Sequence, residues 1–493
     1  MKRKRLLGMV LVTGMFLTSA AGCTHGGQSK AALDPDNPVT VTIWNYYNGD
    51  QLTSFENLVE EFNETVGMKE GIVVQSVSQG SIDNLVQAIL DTVDGKIGAA
   101  DMPSAVSVYA ETGYLLYNRD VILPLDDYFT DDELDEYVPT FVEEGRFTTD
   151  GKLYFLPVSK STECLIENTT DWKGFSEATG ITPESIQTVE DLTAAAEAYY
   201  KWTDEQTPDV PEDGKALYGR DSISNYIMIG AKQLGHEILT VDKNGKGKVD
   251  LDRATFQKLW DNYYIPYING YFGTYASYRS EDIKTGTILA MTGSTSSVSY
   301  LPSEVTDLND QSHPINLDIR KALVFEDALD PVSVQQGAGY CVMKTDETQE
   351  YATVEFLKWF TDVKQNMEFS VSCGYSPVKL AANEEDAIRE ACSDFSKKTK
   401  NVQDALLISA KEYTAGNTYT SKAFTGSKEV REILGSALED QAVKDREAVT
   451  EKIKNGQTRE EAVAEYSTTE YFNDWFDGVK SQVDTAVQEA QGE

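Results

Sequence analysis

From residue 39 onward the chain alternates between strand and helix signals, and this alternation restricts the fold more than any other feature. Residues 39–44 alternate in the manner of a strand, and residues 51–66 carry Phe55, Leu58, Val59, Phe62 and Val66 at helical spacing. A second strand pattern covers 72–77. Ser81 then stands as an N-cap before a helix whose Ile82, Leu85, Val86, Ile89, Leu90 and Val93 form one apolar face. Residues 103–109 supply a third strand. This order predicts an α/β fold with a mostly parallel sheet covered by helices. In such sheets a ligand sits outside the carboxyl ends of the strands, so the loops at 44–50, 78–81 and 109–113 should share one edge.

Length extends the argument: 493 residues with 40% hydrophobic content exceed what one core ordinarily holds, so at least two lobes are expected. Residues 159–285 are richer in helix patterns, with amphipathic stretches at 189–202 and 253–264, and read as a second lobe. Between them, residues 239–249 hold Asp242 to Gly247 in an arrangement that resembles a calcium loop. Lys246 and Arg253 occupy places where such a loop needs oxygen ligands, and Asn244-Gly245 is a turn signal, so a hairpin is expected and no metal. Residues 351–360 form a strongly apolar helix. Beyond Asn383 the chain is charged and largely helical to about Lys480, with a polar break at 414–427.

The amino terminus begins with Lys2, Arg3, Lys4 and Arg5, continues with an apolar run at 6–17 and ends in Ala20-Ala21-Gly22-Cys23. That order predicts a secretory signal at 1–22, and the run is too short to span a bilayer. The placement of Cys23 resembles the lipobox of bacterial lipoproteins, which implies acylation of Cys23 and a membrane anchor; ordinary cleavage beside an incidental cysteine is the alternative. Residues 23–38 read as a polar tether. The formal net charge of −38 argues against nucleic acid as a partner. Cys164, Cys341, Cys373 and Cys392 match no zinc or redox spacing, leaving disulfides and isolated buried thiols equally open.

Several segments appear in an order that resembles the extracellular solute-binding proteins of ABC importers, in their sugar-binding branch. They are Thr42-Ile43-Trp44; Ile122-Leu123-Pro124-Leu125-Asp126-Asp127-Tyr128; Gly151 through Val158; Gly286 through Ser294; Gln335-Gln336-Gly337-Ala338-Gly339-Tyr340; Glu355 through Phe360; and Gly374-Tyr375-Ser376-Pro377-Val378. The resemblance implies a two-lobed periplasmic-binding-protein-like fold with three hinge crossings. They are expected near 156–160, near 289–292 and shortly after Val378. The lobes would then comprise 39–157 with 291–380, and 158–290 with 381–493. It further implies a monomer without cofactor, held at the outer face of the cytoplasmic membrane, that passes a carbohydrate to the permease subunits of an importer.

A sugar offers apolar C–H faces and a rim of hydroxyls, so its site needs aromatic surfaces and fixed polar groups. At the expected edges the candidates are Trp44, Tyr46, Tyr47, Gln79, Ser81, Tyr109 and Glu111. The hinge side adds Thr162, Glu163, Ser294, Thr295, Gln336 and Gly337, and the second lobe adds Tyr226 and Tyr271. Trp44 is the first choice for a stacking ring, so its removal is expected to weaken binding. Two other functions fit the composition: a receptor of the same fold for signalling or for a non-sugar polar solute, and a carbohydrate-active enzyme. Against the enzyme stand the absence of a Gly-x-Ser-x-Gly elbow, of His-Glu-x-x-His and of a phosphate loop.

Overall fold

The computed structural model describes residues 33–210, 212–307, 309–393 and 397–492; the signal, Cys23 and most of the tether lie outside the described residues. The chain enters through β1 (Val39–Asn45), α1 (Gly49–Phe62), β2 (Ile72–Ser78), α2 (Ile82–Val93), β3 (Ala105–Val108) and α3 (Ala110–Tyr117). The sequence patterns locate the first five of these within a few residues; α3 occupies the stretch after Tyr109 that was expected to be a loop. Ser81 caps α2 as expected, its Oγ accepting from the Asn84 N–H at 3.2 Å. After α4 (Pro139–Gly145), β4 (Leu156–Ser161) and β5 (Glu163–Asn168) follow with only Thr162 between them.

Next come α5 (Val189–Asp204), β6 (Tyr218–Arg220), α6 (Ile223–Gln233), the hairpin β7 (Leu239–Val241) and β8 (Gly247–Val249), and α7 (Arg253–Ile268). The hairpin turns through Gly245 and pairs Leu239 with Val249, as the Asn-Gly signal predicts. The chain continues with β9 (Ala290–Ser294), β10 (Leu317–Lys321), β11 (Ser333–Val334), β12 (Gln336–Val342), α8 (Glu347–Phe360) and α9 (Val363–Cys373). It closes with α10 (Lys397–Thr414), β13 (Thr418–Tyr419), α11 (Ser427–Lys454) and α12 (Thr469–Gln491).

Two sheets organise the molecule. The first runs β2-β1-β3-β12-β4 and the second β10-β5-β9-β6. Both are mixed, where mostly parallel sheets were expected. β1 lies parallel to β2 and β3, but β12 is antiparallel to both β3 and β4. In the second sheet only β6 and β9 are parallel.

The middle crossing also lies elsewhere than expected. β9 and β10 both pair with β5, so 290–294 and 317–321 belong to the second sheet, and the chain returns to the first at Gln335, between β11 and β12. The cause is local: after β9 the backbone bends back, the Thr295 N–H bonding the Thr162 carbonyl at 2.8 Å, and returns to furnish the edge strand beside β5.

Burial follows these sheets. Val41, Ile43, Phe55, Val106, Phe155, Phe356 and Phe360 share the core of the first lobe. Along β5 successive side chains serve opposite faces: Leu165 joins a cluster with Trp172, Trp260, Leu434 and Phe472, while Cys164 and Ile166 join one with Met291, Ile388 and Leu406. Residues of α10, α11 and α12 therefore cover the second sheet on both faces. All four described cysteines are free and buried. No described helix is long and apolar enough to cross a membrane.

Candidate functional site

A cavity of about 290 Å³ lies between the lobes. The first lobe supplies Ile82, Asp83 and Val86 from α2, Tyr109, Glu111 and Thr112 at the start of α3, and Glu144 from α4. The second supplies Ser222, Ser224 and Asn225 at the start of α6, with Lys428, Arg431 and Glu432 from the first turns of α11. Gln335, Gln336 and Gly337 form the hinge-side wall, and Thr420 closes one end. Most of these positions sit at helix starts because the strands feed their helices at this edge.

Arg431 ties the lobes together. Its Nη1 donates to Glu111 Oε1 at 2.9 Å across the cleft, and its Nη2 donates to Asn225 Oδ1 at 3.1 Å. The Asn225 amide nitrogen donates to Glu163 Oε1 at 3.0 Å and to Gln336 Oε1 at 2.8 Å. Glu163 is also paired with Arg220. Ser224 Oγ donates to the Arg431 carbonyl at 3.0 Å, anchoring the helix that carries the guanidinium. Lys428 pairs with Glu432 at 2.7 Å; desolvation opposes its charge, but that hydrogen bond raises its ammonium above the ordinary range. The phenol of Tyr109 is raised, first by desolvation and then by the Glu111 carboxylate, so it stays neutral. The walls thus present fixed donors and acceptors with one aromatic ring, an environment that suits a small ligand rich in hydroxyls or other polar groups.

Of the residues the sequence proposed, Tyr109, Glu111, Gln336 and Gly337 line this cavity, and Glu163 stands directly behind Asn225. Gly337 is there for steric reasons: at φ +108° an added Cβ would lie 2.4 Å from the Ser159 carbonyl oxygen. The expected stacking rings are elsewhere. Trp44 is 3% exposed and belongs to the first core, because β1 is a central strand covered on both sides. Tyr47 packs on Phe55 and Phe369 at 5.1 and 5.4 Å between centroids, and Tyr46 stands behind Tyr109 at 6.3 Å. Tyr226 is a core ring of the second lobe whose hydroxyl donates to the Leu259 carbonyl at 2.9 Å. Tyr271 faces Tyr200 at 5.5 Å, away from the cleft.

Several polar candidates are structural as well. Ser81 and Ser294 are occupied as helix caps, and Thr295 accepts from the Thr162 N–H at 3.3 Å, which joins the first crossing to the end of β9. Gln79 lies outside the cavity wall, its N–H held by the Asn45 carbonyl. Sequence reasoning missed Asn225 and the α11 face. Asn225 carried a readable signal, an amide within an otherwise apolar helix, which must find partners when buried. Arg431 carried none, because a charge-rich helix start reads as a solvated face.

A family described as bacterial extracellular solute-binding protein matches residues 57–402. No curated protein matches the chain by sequence. Among solved structures, UgpB from Mycobacterium tuberculosis in complex with glycerophosphocholine aligns with TM-score 0.66 and 15% identity, over 92% of this chain and 99% of its own. The cyclic alpha-maltosyl-1,6-maltose binding protein from Arthrobacter globiformis aligns at 0.62 and 17%, over 92% and 100%. The MalE domain from Bdellovibrio bacteriovorus bound to maltotriose aligns at 0.61 and 15%, over 92% and 100%. At these identities the structures establish a shared two-lobed fold.

Proposed function

The chain belongs to the bacterial extracellular solute-binding proteins, and from that membership we propose that it captures a sugar or oligosaccharide between its lobes and delivers it to an ABC importer. The observation that carries this reading is the inter-lobe cavity, where Glu111 of one lobe meets Arg431 and Asn225 of the other beside Gln336 of the hinge. A ligand touching both walls favours the closed arrangement by its differential contacts, and closure reports occupancy to the permease. Two solved structures of the same fold are a cyclic alpha-maltosyl-1,6-maltose binding protein and a MalE domain bound to maltotriose. The signal, Cys23 and the polar tether support secretion followed by lipid anchoring at the outer face of the membrane.

A thermal-shift screen over mono- and oligosaccharides tests the reading, because a ligand present at 100 times its Kd adds about 2.7 kcal/mol to the folded state. At least one sugar should raise Tm in the wild type and lose that effect in Arg431→Ala. If no sugar moves Tm, the carbohydrate assignment falls.

A second reading has its own support: the cavity holds Asp83, Glu111, Lys428, Arg431 and Glu432 and only one aromatic ring, Tyr109. That charge favours a small ionic solute, and UgpB shows the fold in complex with glycerophosphocholine. Adding phosphodiesters and amino acids to the screen separates the two.

A further inference from the structure

Every described arginine but one pairs with a carboxylate, as befits a chain with 81 acidic residues. The exception is Arg446, in the second half of α11. It follows Arg431 by fifteen residues, which sets it roughly 22 Å further along the helix and away from the cleft. Its guanidinium lies on the turn that ends α7. Nη1 donates to the Ile268 carbonyl at 3.1 Å, and Gly270, at φ +81°, makes the room, because an added Cβ there would collide with the guanidinium. Among the described residues nothing else accepts from Arg446, so Nε and Nη2 keep their donor capacity, and the side chain is half-buried rather than sealed.

A second guanidinium stands close by. Tyr271, the residue after Gly270, faces the ring of Tyr200 at 5.5 Å, and Arg459 lies over that same ring at 4.5 Å. Glu212 takes up the charge of Arg459, accepting from its Nε at 3.0 Å, and is thereby unavailable to Arg446. Desolvation, and after it the like charge of Arg459, holds Arg446 below the ordinary guanidinium range. The carbonyl end of α7 offsets part of that cost, since a helix C-terminus carries about half a negative charge. No carboxylate offsets the rest.

Tyr275 flanks the exposed side of this group. Its ring folds over Gly273, where an added Cβ would meet it at 2.8 Å, and the strongest charge acting on its phenol is that of Arg446. Its backbone N–H is held by Asp282 at 3.2 Å, a carboxylate already paired with Arg279 at 2.8 Å. The Tyr275 hydroxyl has no partner among the described residues, and the side chain is open to solvent.

We propose that Arg446 and Tyr275 form a surface site for a phosphate-type oxyanion, separate from the cleft and independent of the ligand that the cleft takes. The guanidinium offers two nitrogens and Tyr275 a phenolic O–H, and a phosphoryl group supplies three strong acceptor oxygens for them. A carboxylate, with two oxygens, satisfies fewer of these donors. An anion here stands in for the missing acidic partner and relieves the repulsion between Arg446 and Arg459.

The test is titration calorimetry at constant ionic strength with inorganic phosphate, methyl phosphate and acetate, on the wild type, Arg446→Gln, Tyr275→Phe and Arg431→Ala. The wild type should bind one inorganic phosphate saturably, and acetate at least about tenfold more weakly. Arg446→Gln should weaken phosphate by at least about tenfold. Tyr275→Phe, which removes only an exposed hydroxyl and keeps the test open if Arg446→Gln fails to fold, should weaken it about threefold. Arg431→Ala should leave it unchanged. Methyl phosphate separates the sources: equal affinity assigns the site to the phosphoryl end of a larger molecule, and lost affinity assigns it to free phosphate. The site is refuted if the wild type binds no phosphate, or if Arg446→Gln and Tyr275→Phe both keep the wild-type affinity. It is equally refuted if binding disappears in Arg431→Ala, which would put the anion in the cleft. Acetate binding as tightly as phosphate would overturn the ligand class.

Discussion

At the scale of single residues, two side chains separate stability from recognition. Trp44 fills the first core, so Trp44→Ala should cost about 3–5 kcal/mol in urea denaturation, as for other large-to-small core changes, and leave the affinity of the folded protein unchanged. Arg431 contributes in the opposite sense. Arg431→Ala removes the Glu111 and Asn225 contacts and should weaken ligand binding by tenfold or more, about 1.4 kcal/mol, with little loss of stability in the same titration. Arg431→Lys should recover little, because an ammonium cannot reproduce the fork that reaches both partners. The cysteines make a third test. Burial pushes the Cys373 thiol up to about 12 and Cys392 up to about 11, and drives Cys164 and Cys341 higher still. A reactive thiolate requires a low value, so the folded protein should resist a disulfide reagent such as Ellman's and release these thiols only in urea. Rapid labelling of the native chain would refute that.

At the scale of elements, α11 and the hinge strand carry the site. One face of α11 buries Leu434, Leu438, Ala442 and Val449 in the second lobe while its first turn presents Lys428, Arg431 and Glu432 to the cleft. A chain ended at Gly426 should therefore lose both binding and the packing of the second lobe, seen as ANS fluorescence and a second, lower transition in calorimetry. In β12, Gly337→Ala forces a Cβ against the Ser159 carbonyl at a left-handed φ and should lower Tm while displacing Gln336. The elements of the first hundred residues were legible beforehand, apart from α3. The apolar spacing of Phe55, Leu58 and Phe62 and the cap at Ser81 act within a turn or two, so they report local structure without knowledge of the rest. β10 was not legible, because its partner β5 lies some 150 residues earlier and five residues of Leu-Asp-Ile-Arg-Lys carry little pattern of their own.

At the scale of the whole molecule, the lobes meet through Arg431 and Glu111 and through Lys422 and Glu143, ion pairs with partial exposure to solvent. Such pairs are worth little individually and are screened by salt, so they bias closure weakly and leave room for a ligand to decide it. Small-angle scattering should show the ligand-free protein opening as salt rises, with Arg431→Ala already open at low salt and a bound sugar restoring the compact form of the wild type. A radius of gyration indifferent to salt, ligand and substitution would mean that the lobes do not move.

What the amino-acid sequence determined by itself was the alternation of strands and helices, the two-lobed class, the hairpin at 239–249 and the cleft edge at Tyr109 and Glu111. The alternation, the hairpin and the cleft edge follow from periodicity, caps and turns, which depend on neighbours a few residues away, whereas the two lobes were expected from chain length and from the family resemblance. Only the tertiary structure decided that Trp44 and Tyr226 are core rings, that the chain returns to the first sheet at Gln335, and that Asn225 and Arg431 face the cavity. The reason is distance along the chain: Glu111 and Arg431 are 320 residues apart, and no local pattern encodes which charged face of a helix will meet a carboxylate from the other lobe.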